Sequence, residues 1–155
     1  MNAEFDRASG GDADSARRVR LRIPPTAPRA QEVRAVVTSF AKLQGVRSRD
    51  LESLIFAVGE ALANAIEHAG SEEIEVRCSV DEGLLQVSIA DSGRGFDAVP
   101  KKRLPLPDAL SERGRGIPIM QRCTDVFRVR SLPGGGTEVV LGCYLDRPRG
   151  KRANS

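Results

Sequence analysis

Residues 74 to 91 read IEVRCSVDEGLLQVSIAD. Ile74, Val76, Cys78 and Val80 alternate with Glu75, Arg77 and Ser79. After Asp81-Glu82-Gly83 the alternation resumes at Leu85, Val87 and Ile89. Successive side chains of a strand point to opposite faces, so each run is a strand with one apolar face. The short turn between them predicts an antiparallel hairpin.

The flanking sequence supplies what the hairpin needs to bury that face. On the N-terminal side, Val19, Leu21 and Ile23 alternate with arginines and read as a half-exposed strand, ended by Pro24-Pro25. Val33, Val36, Val37 and Phe40 then fall at i, i+3, i+4, i+7, an amphipathic helix with Gly45 as its stop. Asp50 is the expected cap of a second helix. Its apolar stripe is Leu51, Leu54, Ile55, Val58, Leu62, Ala65 and Ile66, with Gly70 after its end. On the C-terminal side, residues 91–115 are Gly, Pro and charge, a long loop. A short helix near Ile117 to Arg122 follows, then strands around Val126–Arg130 and Thr137–Cys143, joined by Pro133-Gly134-Gly135-Gly136. Helices grouped on one face of an antiparallel sheet make a two-layer α+β sandwich. The expected organisation is a disordered tail over residues 1–16, one domain over 17–146 and a basic disordered tail over 147–155.

Composition narrows the class. A chain of 155 residues suits one domain, and 40% hydrophobic residues suffice for a core. Aromatics are scarce at 4%, so that core rests on Val, Leu, Ile and Ala. With 24 basic and 21 acidic residues, the balance is too even to argue for direct nucleic-acid binding. Cys78, Cys123 and Cys143 share no CxxC spacing, and one His cannot complete a zinc site with them; they read as small buried hydrophobes in a reducing cytoplasm. The N-terminus has no apolar h-region, and no run approaches the ~20 residues that span a membrane.

Three features carry chemistry. The second helix places Glu60 and Asn64 one turn apart, near the side opposite its apolar stripe, with His68 a further turn on. Ala57 and Ala61 read as small neighbours on that polar face, leaving room for a ligand. A carboxylate can act as a base and an amide oxygen is a hard ligand for Mg²⁺. The same pattern also suits a solvated helix face, and His68 suits a helix C-terminus on dipole grounds alone. Second, Asp91 shares parity with Leu85, Val87 and Ile89, so its carboxylate is directed to the core side. A buried carboxylate needs a donor, which the amino group of adenine would supply; an Asp turned outward to cap the Asp-Ser-Gly turn is the alternative. Thr137 shares its own strand's core parity with Val139, Leu141 and Cys143, either as part of the same network or as an ordinary strand Thr. Third, Gly93 and Gly95 follow Asp91, and Gly114-Arg115-Gly116 precedes the short helix. Glycines allow close backbone approach, and helix N-termini hold phosphate. Lys101, Lys102, Arg103, Arg113 and Arg115 suit a polyphosphate.

These residues resemble the GHKL ATPase family, the Bergerat ATP-binding fold. GEALANAIEHAG resembles its N-box, DSGRGFD its first glycine box, GRGIPIM its second and GGGTEVVL its closing Gly-Thr element, in family order over roughly residues 18–145. The resemblance implies ATP and Mg²⁺ as cofactors. It implies that Asn64 holds the metal, Asp91 takes the adenine amino group, Gly93 and Gly95 line the base pocket, and Gly114, Arg115 and Gly116 meet the phosphates. Residues 97–113 would be the ATP lid. With about seventeen residues before the first strand and few after the last, the chain most resembles the stand-alone anti-sigma-factor serine kinases. That branch implies Glu60 as general base, a STAS-type anti-anti-sigma substrate, a sigma-factor partner and a homodimer. Pro118 departs from the branch, which more often has a large apolar residue there. Two other functions stay open at this stage. One is an ATP-dependent regulator acting by partner binding alone. The other is a histidine-kinase-like module acting in trans, which would give acid-labile phosphoramidate in place of phosphoserine.

Overall fold

The computed structural model describes residues 17–68, 73–91 and 116–146, with the side chains of Gly116 and Ile117 left aside. The strands are β1 (Arg18–Ile23), β2 (Ile74–Asp81), β3 (Leu84–Asp91), β4 (Val126–Ser131) and β5 (Thr137–Tyr144). The helices are α1 (Ala27–Leu43), α2 (Ser48–His68) and α3 (Gly116–Cys123). The strands form one sheet in the order β1-β2-β3-β5-β4, antiparallel at every pairing. Both expected tails and the expected lid fall outside the described residues.

The 74–91 hairpin forms in the expected register, Ile74 opposite Asp91 and Asp81 opposite Leu84. Its turn is Glu82-Gly83, with φ of 47° and 76°. Two positive φ values match the right-handed twist of the flanking strands, as in a type I′ turn. Gly accepts that backbone freely; Glu82 accepts it at a cost.

Alternation decides the faces. Leu85, Val87, Ile89 and Asp91 of β3 are buried, while Leu84, Gln86, Ser88 and Ala90 are partly exposed. The inner face is completed by Leu21, Ile23, Ile74, Val76, Cys78, Leu141 and Cys143. Over it lie α1, through Val33, Val37 and Phe40, and α2, through Leu51, Leu54, Val58, Leu62 and Ala65. Gly45 ends α1 in the left-handed region, at φ 84°, its amide donating to the Lys42 carbonyl. Helix α2 begins at Ser48, two residues before the expected cap. Asp50 therefore sits in the first turn, held by Arg47 at 3.1 Å. An acidic residue is favourable there whether or not it is the cap.

Among the described residues no helix covers the outer face of the sheet. It carries Arg18, Arg20, Arg22, Arg77, Arg128 and Arg130, by their pairing with outward positions of the neighbouring strands. Glu75 gathers Arg20, Arg22 and Arg77. Glu138, buried although it points outward, pairs with Arg130. Between the charged flanks runs a half-buried apolar strip of Leu84, Val126 and Val140 beside Tyr144. Gly142 permits that closure: a Cβ there would stand 2.8 Å from the Cβ of Val126.

Candidate nucleotide and phosphotransfer site

The last row of the inner sheet face departs from the rest. Reading across the sheet, it runs Ile23, Ile74, Asp91, Thr137, Ser131. The rows before it are apolar, Val76-Ile89-Val139 and Cys78-Val87-Leu141. Asp91 is 7% exposed and Thr137 5%. Directly opposed residues of an antiparallel pair have Cβ atoms about 5 Å apart, so a carboxylate and a hydroxyl stand side by side at the buried end of β3 and β5. A polar pair so buried stabilises nothing unless donors meet it. Asp91 and Thr137 lie on the inner face, as their parity requires.

Local geometry explains why β5 begins at Thr137. The connection from β4 is closed by the Leu132 amide on the Gly136 carbonyl (3.0 Å) and by the Gly135 amide on the Leu132 carbonyl (3.2 Å). Gly134, Gly135 and Gly136 all have positive φ, 84° to 106°. The glycine run makes the reversal, and the strand starts with Thr137 aimed inward beside Asp91.

Helix α2 crosses the same layer, packed on β3 and β5 and against α3. Glu60, Asn64 and His68 are each half-buried. Four residues advance a helix by 400°, so each step turns the side chain about 40° further round. The three therefore spiral from the solvent side toward the buried arc that holds Ala57 and Ala61. The expectation that those alanines border an open ligand space is corrected here, since Ala57 is 0% and Ala61 1% exposed. Their small size admits packed neighbours: both α3 and the sheet lie against α2. The polar ridge of α2 is therefore narrower than the wheel suggests, without Ala57 and Ala61.

Sequence reading also passed over a contact. Gly59, in mid-helix, lies beneath the Arg34 side chain of α1: a Cβ there would stand 3.6 Å from Arg34 Nε. The available signal was a glycine inside an otherwise regular helix, where it costs about 1 kcal/mol relative to Ala.

Helix α3 begins at Gly116, with Pro118 in its first turn, where the missing amide costs no hydrogen bond. Met120 anchors it in the core, and Thr124 Oγ1 donates to the Met120 carbonyl at 2.7 Å. The proline is thus compatible with the helix. Gly93, Gly95, Gly114 and Arg115 lie outside the described residues. Cys78 and Cys143 are buried, as expected, while Cys123 is half-buried. Burial pushes the Cys78 thiol up to about 12. Burial, and then the charge of Asp50, push Cys143 to about 11, against the opposing charge of Arg47. Neither is a thiolate at neutral pH. Among the described residues no His/Cys/Asp/Glu group is arranged to hold a metal, and no helix is long and apolar enough to cross a membrane.

Comparisons with known proteins show the family. The profile of the histidine kinase-like ATPase domain matches residues 23–142. The serine-protein kinase RsbW of Bacillus velezensis is 32% identical over 142 residues, spanning 84% of this chain and 88% of that protein. RsbW of Bacillus subtilis is 30% identical over the same shares. The anti-sigma F factor of Caldanaerobacter subterraneus is 31% identical over 122 residues, 75% of this chain and 85% of that one. A crystal structure of the RsbU and RsbW domains of a Mycobacterium tuberculosis protein superposes with a TM-score of 0.60 at 23% identity. It matches 83% of this chain and 33% of that longer one, and it supports the fold. By the domain match and these relatives, the chain belongs to the histidine kinase-like ATPase family, in the GHKL branch of anti-sigma serine-protein kinases.

Proposed function

We propose that the domain, taken as residues 17–146, transfers the terminal phosphoryl group of ATP to a serine of a STAS-type anti-anti-sigma protein and, in a rival complex, sequesters a sigma factor. The observation that carries the nucleotide assignment is the Asp91–Thr137 pair, a buried carboxylate and hydroxyl closing an otherwise apolar sheet face. That chemistry fits adenine: the carboxylate accepts from the exocyclic amine, and the hydroxyl adds a donor and an acceptor to the same edge. The Asn64 side-chain oxygen is a hard, neutral donor suited to Mg²⁺. Gly93, Gly95, Gly114, Arg115 and Gly116 complete the assignment by family motif, lining the base and the phosphates.

Bound Mg-ATP supplies the transferable phosphoryl group and the cation that screens its charge. The chain's own contribution is at Glu60. Its carboxylate lies on the solvent side of the Asn64 ridge, where a partner's serine can reach it. There it accepts the hydroxyl proton as the serine oxygen becomes a nucleophile. Asp91 and Thr137 would orient the base, and Asn64 would hold the metal near the phosphate end. A homodimer is part of the proposal. The outer sheet face, with its half-buried strip of Leu84, Val126 and Val140, suits a second copy. The chain is assigned to the cytoplasm with its sigma-factor partner.

Calorimetry with a non-hydrolysable ATP analogue, with and without Mg²⁺, tests the site. Mg-dependent binding is expected, and Asn64→Ala should abolish it. Unchanged affinity in that variant would remove Asn64 from the metal. Glu60→Ala should keep binding and lower serine transfer by about 10²- to 10⁴-fold. Wild-type transfer in that variant would reject the base. Binding without transfer in the wild type would leave a regulator acting through partner contact alone, and acid-labile product would point to a histidine acceptor.

A further inference from the structure

The ridge of α2 that carries Glu60 also carries a large aromatic with no apolar reason to be there. Phe56 is 51% exposed, in a chain with only five phenylalanines. It precedes Glu60 by one turn, which places their Cβ atoms about 6 Å apart on one face. The ground around it is low. Gly59 at i+3 has no side chain, and Ala63 at i+7 has one carbon. On the far side of Gly59 the Arg34 side chain lies flat against the helix. Among the described residues of this helix face the ring is the tall apolar feature between Arg34 and Glu60.

The proposed chemistry determines what comes to rest there. A general base works within hydrogen-bond reach of the proton it takes. A partner protein that brings its serine to Glu60 must cover the neighbouring turn of the same helix, because a specific protein surface buries about 800 Å² on each side. Phe56 lies well inside that footprint. Aromatic side chains enclosed near the centre of an interface carry a disproportionate share of binding. From this continuity with Glu60 we infer that Phe56 is a substrate-docking residue, received by an apolar depression next to the accepting serine of the partner. The inference rests on the kinase reading above and names the recognition element of that site. The inference gives Phe56 a part in partner affinity and leaves ATP handling to Asp91, Thr137 and Asn64.

The test uses the full chain and a purified STAS-domain protein that the wild type phosphorylates. Initial rates are taken at saturating Mg-ATP while the protein substrate is varied. Phe56→Ala should raise KM for the protein substrate roughly ten-fold or more. kcat and KM for ATP should stay within about two-fold, and the thermal midpoint should not change. Phe56→Tyr or Phe56→Leu should restore most of the lost affinity. An unchanged protein KM in Phe56→Ala overturns the docking role while the kinase reading stands. A fall in kcat or in ATP affinity with protein KM unchanged overturns it as well, since that pattern belongs to a structural role. A wild type that binds Mg-ATP but phosphorylates no STAS-domain protein overturns the kinase reading and this inference with it.

Discussion

The two ends of the β3–β5 pairing use the same inner face for opposite purposes. At one end Leu85 faces Cys143, and Val87 faces Leu141 one row further in; all are buried and apolar. At the other end, three rows from Leu85, Asp91 faces Thr137, equally buried and polar. Burial costs nothing in the first case and desolvates a carboxylate in the second. A fold selected only for stability would continue the apolar rows to the end. The difference sets an apolar end that holds the domain together against a polar row that the proposed function assigns to the nucleotide.

Truncation at the apolar end sharpens that contrast most. Leu85 is fully buried, so Leu85→Ala removes apolar contact and leaves a cavity. A loss of about 2–5 kcal/mol of unfolding free energy is expected from denaturant titration. Nucleotide affinity, measured under conditions where the variant is still folded, should be unchanged. If stability barely moves, the apolar end is not where the fold is secured.

The matching change at the polar end is Asp91→Asn. The shape is kept, the charge is lost, and a charge-assisted acceptor becomes a neutral one. ATP-analogue affinity should fall about ten-fold or more, equivalent to ~1.4 kcal/mol. Stability should change by less than about 1 kcal/mol, because the side chain is no part of the apolar packing. Loss of stability with intact binding would invert the comparison and return Asp91 to a structural role.

How far this was legible in sequence follows the same divide. Strand parity placed Asp91 and Thr137 inward correctly, because alternation with period two leaves little choice once one face is apolar. Register then made them neighbours, and register is a tertiary fact that neither strand states alone. The helical stripe of α2 was read correctly at Leu51, Leu54, Val58, Leu62 and Ala65. Ala57 and Ala61 were misplaced because what packs on α2 comes from α3 and the sheet, distant in sequence, and small residues carry no polarity signal to show it. Ile55 and Ile66 are only partly buried, as expected at the margin of a stripe. Gly59 and Arg34 were invisible for a similar reason: their contact joins two helices, and sequence shows only a glycine in the wrong place. The glycine boxes were legible by motif alone, and they lie outside the described residues.

The hairpin turn belongs to the stable end, so improving it should affect stability only. Glu82 holds φ 47° in a position that favours Asn or Gly. Glu82→Asn should stabilise the domain by about 0.5–1 kcal/mol by relieving the left-handed strain. ATP affinity and transfer should be untouched. A change in affinity would mean that the two ends are coupled through β3, and the separation argued above would fail.

The smallest effect comes from the outer face, and it concerns pH. Burial alone would raise the Glu75 pKa, but the hydrogen bond from Arg20, the charges of Arg77 and Arg20, and the hydrogen bond from Arg22 together hold it below the usual carboxylate value. A depressed folded pKa means that the folded state resists protonation there. Its contribution is fully present above the unfolded carboxylate range and disappears as the pH falls through the lower folded value. Solvent screens a partly exposed cluster, so the contribution is below about 1 kcal/mol. Glu75→Gln should lower stability by that small amount at neutral pH and leave it nearly unchanged at low pH, where the wild-type carboxyl is protonated. The two stability curves should therefore converge on the acid side. Parallel curves would show that the arginines gathered on Glu75 do nothing for the folded state, leaving them free to serve whatever the outer face meets.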